Sequence, residues 1–193
     1  MRNPAKILVT SFHPFRGRTR NASQTIAAAL PSALPNATFH ALSLPVTWGA
    51  VESIALPQIA SLQPHILLGL GEGNPDALKV ETLAHNLRSG ADETQQSPAD
   101  ASIDPQGPAQ LAARWPLPQP LPQSPGAPIL LSSDAGRYLC NNALFRYSLS
   151  NATYAGFFHL PPQGETSDEG YRAQWLPAVV ELLTFALRHP SQP

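Results

Sequence analysis

Residues 128–160 read PILLSSDAGRYLCNNALFRYSLSNATYAGFFHL, and the fold class turns on this stretch. Residues 128–132 are a short apolar run, the pattern of a buried strand. Residues 133–136, Ser-Asp-Ala-Gly, are turn formers. Residues 137–149 read as a helix. Residues 154–160, YAGFFHL, form a second strand pattern closed by Pro161 and Pro162. Strands that alternate with helices are the mark of an α/β layer structure.

The alternation continues outward from there. Residues 6–10 are another buried-strand pattern, followed by a loop, SFHPFRGRTRN, with Pro14 and Gly17 as breakers. A small-residue helix over 22–30 is expected to stop at Pro31, and a strand to follow at 38–44. Thr47 is placed to cap a helix over 48–61 that Pro57 breaks or kinks. Residues 65–70 form a buried strand and 71–76 a polar loop. Alternation at Val80, Thr82 and Ala84 favours a strand over 80–86, and 87–108 read as loop. Thr166 and Glu169 have capping-box spacing for a last helix to about Arg188, which Pro177 interrupts. The expectation is one α/β domain over residues 1–193, a three-layer α/β/α sandwich on a mostly parallel, twisted sheet.

Composition narrows the function classes. The chain has 193 residues, with 12 Lys and Arg against 13 Asp and Glu. A net charge of −1 gives no long-range field to draw in nucleic acid or an anionic membrane surface. No apolar run reaches the roughly 18 residues of a membrane span. The start shows no signal-peptide pattern, so a cytoplasmic location is expected. Proline is abundant, 22 residues, and eight of them lie in 105–128. That stretch cannot be a central strand or a long helix, because proline lacks an amide hydrogen and has a fixed φ. It reads as an extended surface connection with one helical turn near 109–114.

The single cysteine, Cys140, excludes an intramolecular disulfide and a cysteine-cluster metal site. No metal or cofactor is called for. Cys140 stands near a helix start, where unpaired amides and the helix dipole favour a thiolate. The amide-rich turn Asp134-Ala-Gly136 could hold a tetrahedral oxyanion. Among six histidines, His159 closes a strand at the edge where ligands gather in α/β sheets. Paired with Cys140 it would raise thiolate content and later protonate a leaving amine. Glu81 is the best-placed carboxylate to orient the imidazole, with Glu72, Asp76 and Asp134 as rivals that spacing does not exclude.

In order along the chain, these residues form motifs. ILVTSFHPF at 7–15, NAS at 21–23, LPV at 44–46, LKVETLAHN at 78–86, SDAGRYLCN at 133–141 and AGFFHLP at 155–161 resemble those of the pyroglutamyl-peptidase I family, the C15 cysteine peptidases. The resemblance implies Cys140 as nucleophile, His159 as base and acid, and Glu81 as orienter. It also implies a lactam pocket that includes Phe12, Phe15, Tyr138 and Leu139, with Asn21 as a polar contact and Gly71 beside it. The activity implied is removal of an N-terminal pyroglutamyl residue from peptides through an acyl-thioester, by a homo-oligomer, dimer or tetramer. Aromatic faces suit the substrate, a flat neutral lactam.

The chain departs from the family at several points. The family's G-Q-A-G-G-R segment is here GLGEGNP at 69–75, and either Gly71 or Glu72 falls on its glutamine, depending on a one-residue gap. The first loop has Arg16-Gly17 for a glycine pair, Ser11 for a glycine and Ala91 for an arginine. Arg16 and Glu72 could neutralise each other at the pocket mouth. The alternatives are the same thiol chemistry on another small N-terminal acyl or lactam group, or a catalytically silent binding domain.

Overall fold

The structure is a computed structural model and describes residues 4–124 and 128–189. A six-stranded sheet in the order β2-β1-β3-β8-β4-β7 forms its middle layer. Its strands are β1 (Lys6–Phe12), β2 (Thr38–Leu44), β3 (Ile66–Glu72), β4 (Leu78–Glu81), β7 (Ile129–Ser132) and β8 (Tyr154–Leu160). β5 (Leu83–His85) and β6 (Gln110–Ala112) make a separate antiparallel pair. The helices are α1 (Ala22–Ala33), α2 (Leu56–Leu62), α3 (Leu139–Ser148) and α4 (Asp168–Arg188).

The period of two along each strand sends alternate side chains to opposite faces. Ile7, Val9, Ile66, Leu68, Leu70, Phe158 and Leu160 pack with α1 and α4. Leu8, Phe12, Leu67, Ala155 and Phe157 pack with α2 and α3. The result is the expected α/β/α sandwich, with two apolar layers separated by the sheet.

Four neighbouring strands, β2, β1, β3 and β8, are parallel. β4 runs antiparallel to β8, and β7 runs parallel to β4. β7 and β8, the two strands of the 128–160 stretch, therefore point in opposite directions with β4 between them. β7 ends away from the edge at which β8 ends. Residues 133–138 lead back to that edge before α3 begins.

Several local expectations are corrected by tertiary packing. α1 runs through Pro31 to Ala33, because one missing amide bond costs less than exposing the apolar face of Ile26, Ala27 and Leu30. α4 likewise runs unbroken through Pro177, held by buried Tyr171, Trp175, Val179, Leu182 and Leu183. Its cap is Ser167, whose hydroxyl accepts the Gly170 amide, rather than Thr166. Thr47 caps nothing with its side chain; a π turn over Val51–Ala55 leads into α2, with Pro57 in the first turn of α2. There its absent N–H is no loss. α3 starts at Leu139 and not at Arg137, whose guanidinium is tied to Asp134 at 2.6 Å while Tyr138 stays extended. Residues 71 and 72 belong to β3 and not to a loop, since β8 extends far enough to pair with them. The single strand expected over 80–86 divides at Thr82 between the two sheets.

The proline-rich connection is more than a surface strap. Residues 110–112 form β6 instead of a helical turn, and Arg114 exchanges two backbone hydrogen bonds with Ala155 of β8. Trp115 is buried against Phe158, with ring centroids 5.0 Å apart. It occupies the space above Gly156, where any Cβ would lie 2.7 Å from the indole. Residues 125–127 of this stretch lie outside the described residues, as do 1–3 and 190–193. Among the described residues no helix is long and apolar enough to cross a membrane.

Candidate active site

β4 and β8 pair with Lys79 opposite His159 and Glu81 opposite Phe157. Glu81 and His159 are therefore diagonal neighbours on one face of the sheet, within side-chain reach. The His159 Nδ1 lies 2.8 Å from Glu81 Oε1. The Glu81 side chain is fully buried, and its Oε2 has no hydrogen-bond partner. This contact leaves the other ring nitrogen, Nε2, free of Glu81, and Cys140 lies close enough to the ring to favour its charged form.

Cys140 is the second residue of α3 and is half-buried. A Cβ at Gly71 would sit 2.8 Å from Sγ, and one at Gly73 would sit 2.7 Å from the His159 Cβ. At Gly69 it would strike Phe157 at 2.3 Å. Glycines at alternate positions of β3 and just past its end thus clear one face, so that Phe157, the thiol and the imidazole can rest on backbone. Gly71 is accordingly a floor beneath the thiol, and no side chain fits there. Of the two positions weighed for the family's glutamine, only Glu72 has room for one.

Burial of the His159 ring is the strongest single influence on it and opposes its charge. The influence of Cys140, then the hydrogen bond to Glu81 and the attraction of its charge, together outweigh it. The ring's pKa is raised to about 10. The corner is built to hold an imidazolium beside a sulfur that can carry negative charge. The N-cap Tyr138 gives α3 no side-chain acceptor, so the N–H groups of its first turn remain available near Sγ. In the Asp134-Ala-Gly136 turn, the Gly136 N–H donates to Asp134 at 3.1 Å.

A cavity of about 130 Å³ opens beside Cys140, lined by Phe12, Phe15, Arg16, Asn21, Val46, Glu72, Tyr138 and Leu139. Phe12 and Leu139 are buried in the α3-side core, and Phe15 and Tyr138 pack on it. Asn21 lines the cavity, but its amide is occupied. Nδ2 donates to the His13 carbonyl, and Oδ1 accepts from the Ser23 amide and hydroxyl as the cap of α1.

Other expectations resolve around this cavity. Glu72 is paired with Arg18 at 2.6 Å, not with Arg16. The Arg16 amide donates instead to Glu93 at 2.9 Å. Asp134 is held by Arg137, so of the rival carboxylates it is Glu81 that meets the imidazole. Among the other histidines, His65 accepts the Lys6 amide at the far end of the sheet and His85 contacts Gln110.

Two groups of residues escaped the sequence reading. Asn141, fully buried beside Cys140, accepts the His85 amide and donates to the His85 and Leu87 carbonyls at 2.8 Å each. It ties the start of α3 to the segment that follows Glu81. Asp92 accepts the amides of Trp48, Thr94 and Gln96 and the Thr94 hydroxyl. Burial acts to raise its pKa, but these bonds lower it to about 2. Asn141 closes the motif at 133–141, whereas the sequence cue for Asp92 is only a short polar side chain in a loop.

A buried carboxylate, an imidazole and a helix-start thiol at the edge of an α/β/α sheet define a thiol-hydrolase site. The comparisons with known proteins agree. The family model described as pyroglutamyl peptidase matches residues 5–184. A pyrrolidone-carboxylate peptidase of Levilactobacillus brevis is 32% identical over 95% of this chain and 96% of its own length. One from Chromobacterium violaceum is 31% identical over 80% and 77%. In fold, the chain is similar to the crystal structure of pyrrolidone carboxyl peptidase from Pyrococcus furiosus. The TM-score is 0.83 at 23% identity, covering 96% of this chain and all of that one. The chain belongs to the pyroglutamyl peptidase family, whose members are cysteine peptidases.

Proposed function

We propose that the protein hydrolyses the amide bond after an N-terminal pyroglutamyl residue, with Cys140 as nucleophile, His159 as acid and base, and Glu81 as orienter. The observation that carries this reading is Cys140 at a small aromatic-walled cavity, with the hydrogen-bonded His159 and Glu81 beside it. Phe12, Phe15, Tyr138 and Leu139 offer faces and edges to a flat, neutral lactam. Such a ring needs no charged partner.

The thiolate of Cys140 attacks the pyroglutamyl carbonyl carbon, and an electron pair moves onto oxygen. The first-turn N–H groups of α3 face that oxyanion. Collapse of the intermediate breaks the C–N bond, and the His159 imidazolium gives its proton to the departing amine. An acyl-thioester remains on Cys140. Water then attacks it while neutral His159 takes a water proton. The C–S bond breaks, pyroglutamic acid leaves and loses its proton to solvent, and the thiolate–imidazolium pair is restored. Glu81 keeps Nδ1 engaged, so that Nε2 faces sulfur throughout.

The same reading carries a cytoplasmic homo-oligomer, dimer or tetramer, acting on peptides with an N-terminal pyroglutamate; light scattering reads the assembly. The activity is tested with a pyroglutamyl-fluorophore amide. The wild-type protein cleaves it and Cys140→Ala does not. Cleavage that persists in the alanine variant overturns the thiol mechanism.

A further inference from the structure

Resting on that reading of the cavity, we propose that Arg18 is a positioning residue for lactam recognition. It holds Phe15 against the cavity through an ionic clamp anchored at the start of α1 by Glu72.

Phe15 sits on a loop without regular structure, and its ring is only partly buried. The Arg18 guanidinium carbon lies 4.0 Å from the centroid of that ring. The Arg18 backbone and side-chain N–H groups both donate to the Phe15 carbonyl, at 3.2 and 3.3 Å. Nη1 meets Glu72 Oε2 at 2.6 Å, and Glu72 Oε1 accepts the Ala22 amide of α1 at 2.8 Å. The Glu72 side chain is 4% exposed and that of Arg18 38%. A buried carboxylate deprived of its cation is costly, so Arg18 has one strongly preferred place. The guanidinium in that place lies over Phe15. Arg18 does not line the cavity, so it acts through the ring. A second fastener, the Arg16 amide on Glu93, holds the loop's other side, with Arg16 at a left-handed φ of 54°.

The clamp governs binding and leaves the Cys140–His159 pair untouched. Its effect is read by 2-pyrrolidone protection of Cys140 against iodoacetamide, alongside steady-state kinetics on the pyroglutamyl amide. In Arg18→Met the half-protecting concentration and KM both rise about 5- to 20-fold, the range of a partly desolvated cation–π contact. The unprotected labelling rate and kcat stay within about twofold. Arg18→Lys recovers part of the loss, since an ammonium pairs with Glu72 but cannot stack flat. Glu72→Gln gives a loss like that of Arg18→Met, and the double variant is no worse than the worse single one. Unchanged protection in Arg18→Met, a fall in kcat at constant KM, or additive losses in the double variant overturn the clamp while leaving the peptidase reading intact. A wild-type protein that neither cleaves the amide nor is protected by 2-pyrrolidone removes both.

Discussion

The corner that holds Cys140, His159 and Glu81 and the wall that faces it are built on opposite plans. The corner stands on regular elements: Glu81 on β4, His159 on β8, Cys140 on α3, with the glycine face of β3 as floor. Its spacing is set by strand register and by the absence of side chains. The wall takes Phe15, Arg16 and Asn21 from residues 13–21 and is backed by residues 87–96, two segments with no strand or helix of their own. Its shape is set by side chains that grip backbone: Glu93 on the Arg16 amide, Asp92 on the Trp48 amide, and Tyr138 on the Ala91 carbonyl at 3.1 Å. Reacting atoms demand sub-ångström placement, which rigid elements supply; an apolar ring tolerates a softer mould. Changes in the corner should therefore act on kcat, and changes in the wall on KM.

The largest departure is expected from His159→Ala, which should lower turnover roughly 10³-fold or more and slow iodoacetamide labelling with it. Labelling at the wild-type rate would separate the imidazole from the thiol. Glu81→Gln should cost less, roughly 10²-fold in kcat, because nucleophile and base both remain. Gly71→Ala tests the floor itself, since its Cβ would press on Sγ at 2.8 Å. We expect a roughly tenfold or larger fall in kcat and a loss of about 1–3 kcal/mol in denaturant unfolding. Wild-type kcat in this variant would show that the thiol does not depend on a bare floor.

Two effects of pH separate the regions further. Folding raises the His159 pKa from 6.5 to about 10. Its stabilisation is fully present below about pH 6.5 and is lost as pH rises through about 10. The melting-temperature gap between wild type and His159→Gln should close over that range. Asp92 has the opposite sign, lowered from 3.8 to about 2. Its contribution is present above pH 3.8 and is lost as pH falls through about 2. Asp92→Asn should give the smallest kinetic effect, about threefold in KM with kcat unchanged. A fall in kcat instead would make the wall part of the chemistry.

Much of this was legible in one dimension. β2 and β8 begin and end where the apolar patterns do, and Cys140 and His159 stand out by residue type and place. Local rules failed where packing overrode them: Pro31 and Pro177 lie inside helices because buried apolar faces outweigh one missing hydrogen bond each. Trp115 disappeared into a proline-rich stretch whose composition suggested only a strap, because composition does not reveal that Gly156 leaves a space for an indole.

Periodicity sufficed for the α/β class, since the spacing of apolar residues along the chain already states which face each element must bury. Strand direction was a different matter. β7 and β8 flank α3 in sequence, yet they are antiparallel and separated by β4. No local pattern encodes that reversal, which arises from contacts between residues far apart in the chain. The same reversal puts Glu81 diagonally opposite His159. Residue type could nominate the thiol, the imidazole and the carboxylate; sheet register, a long-range property, joined the imidazole to the carboxylate, and the packing of α3 brought the thiol to the same corner.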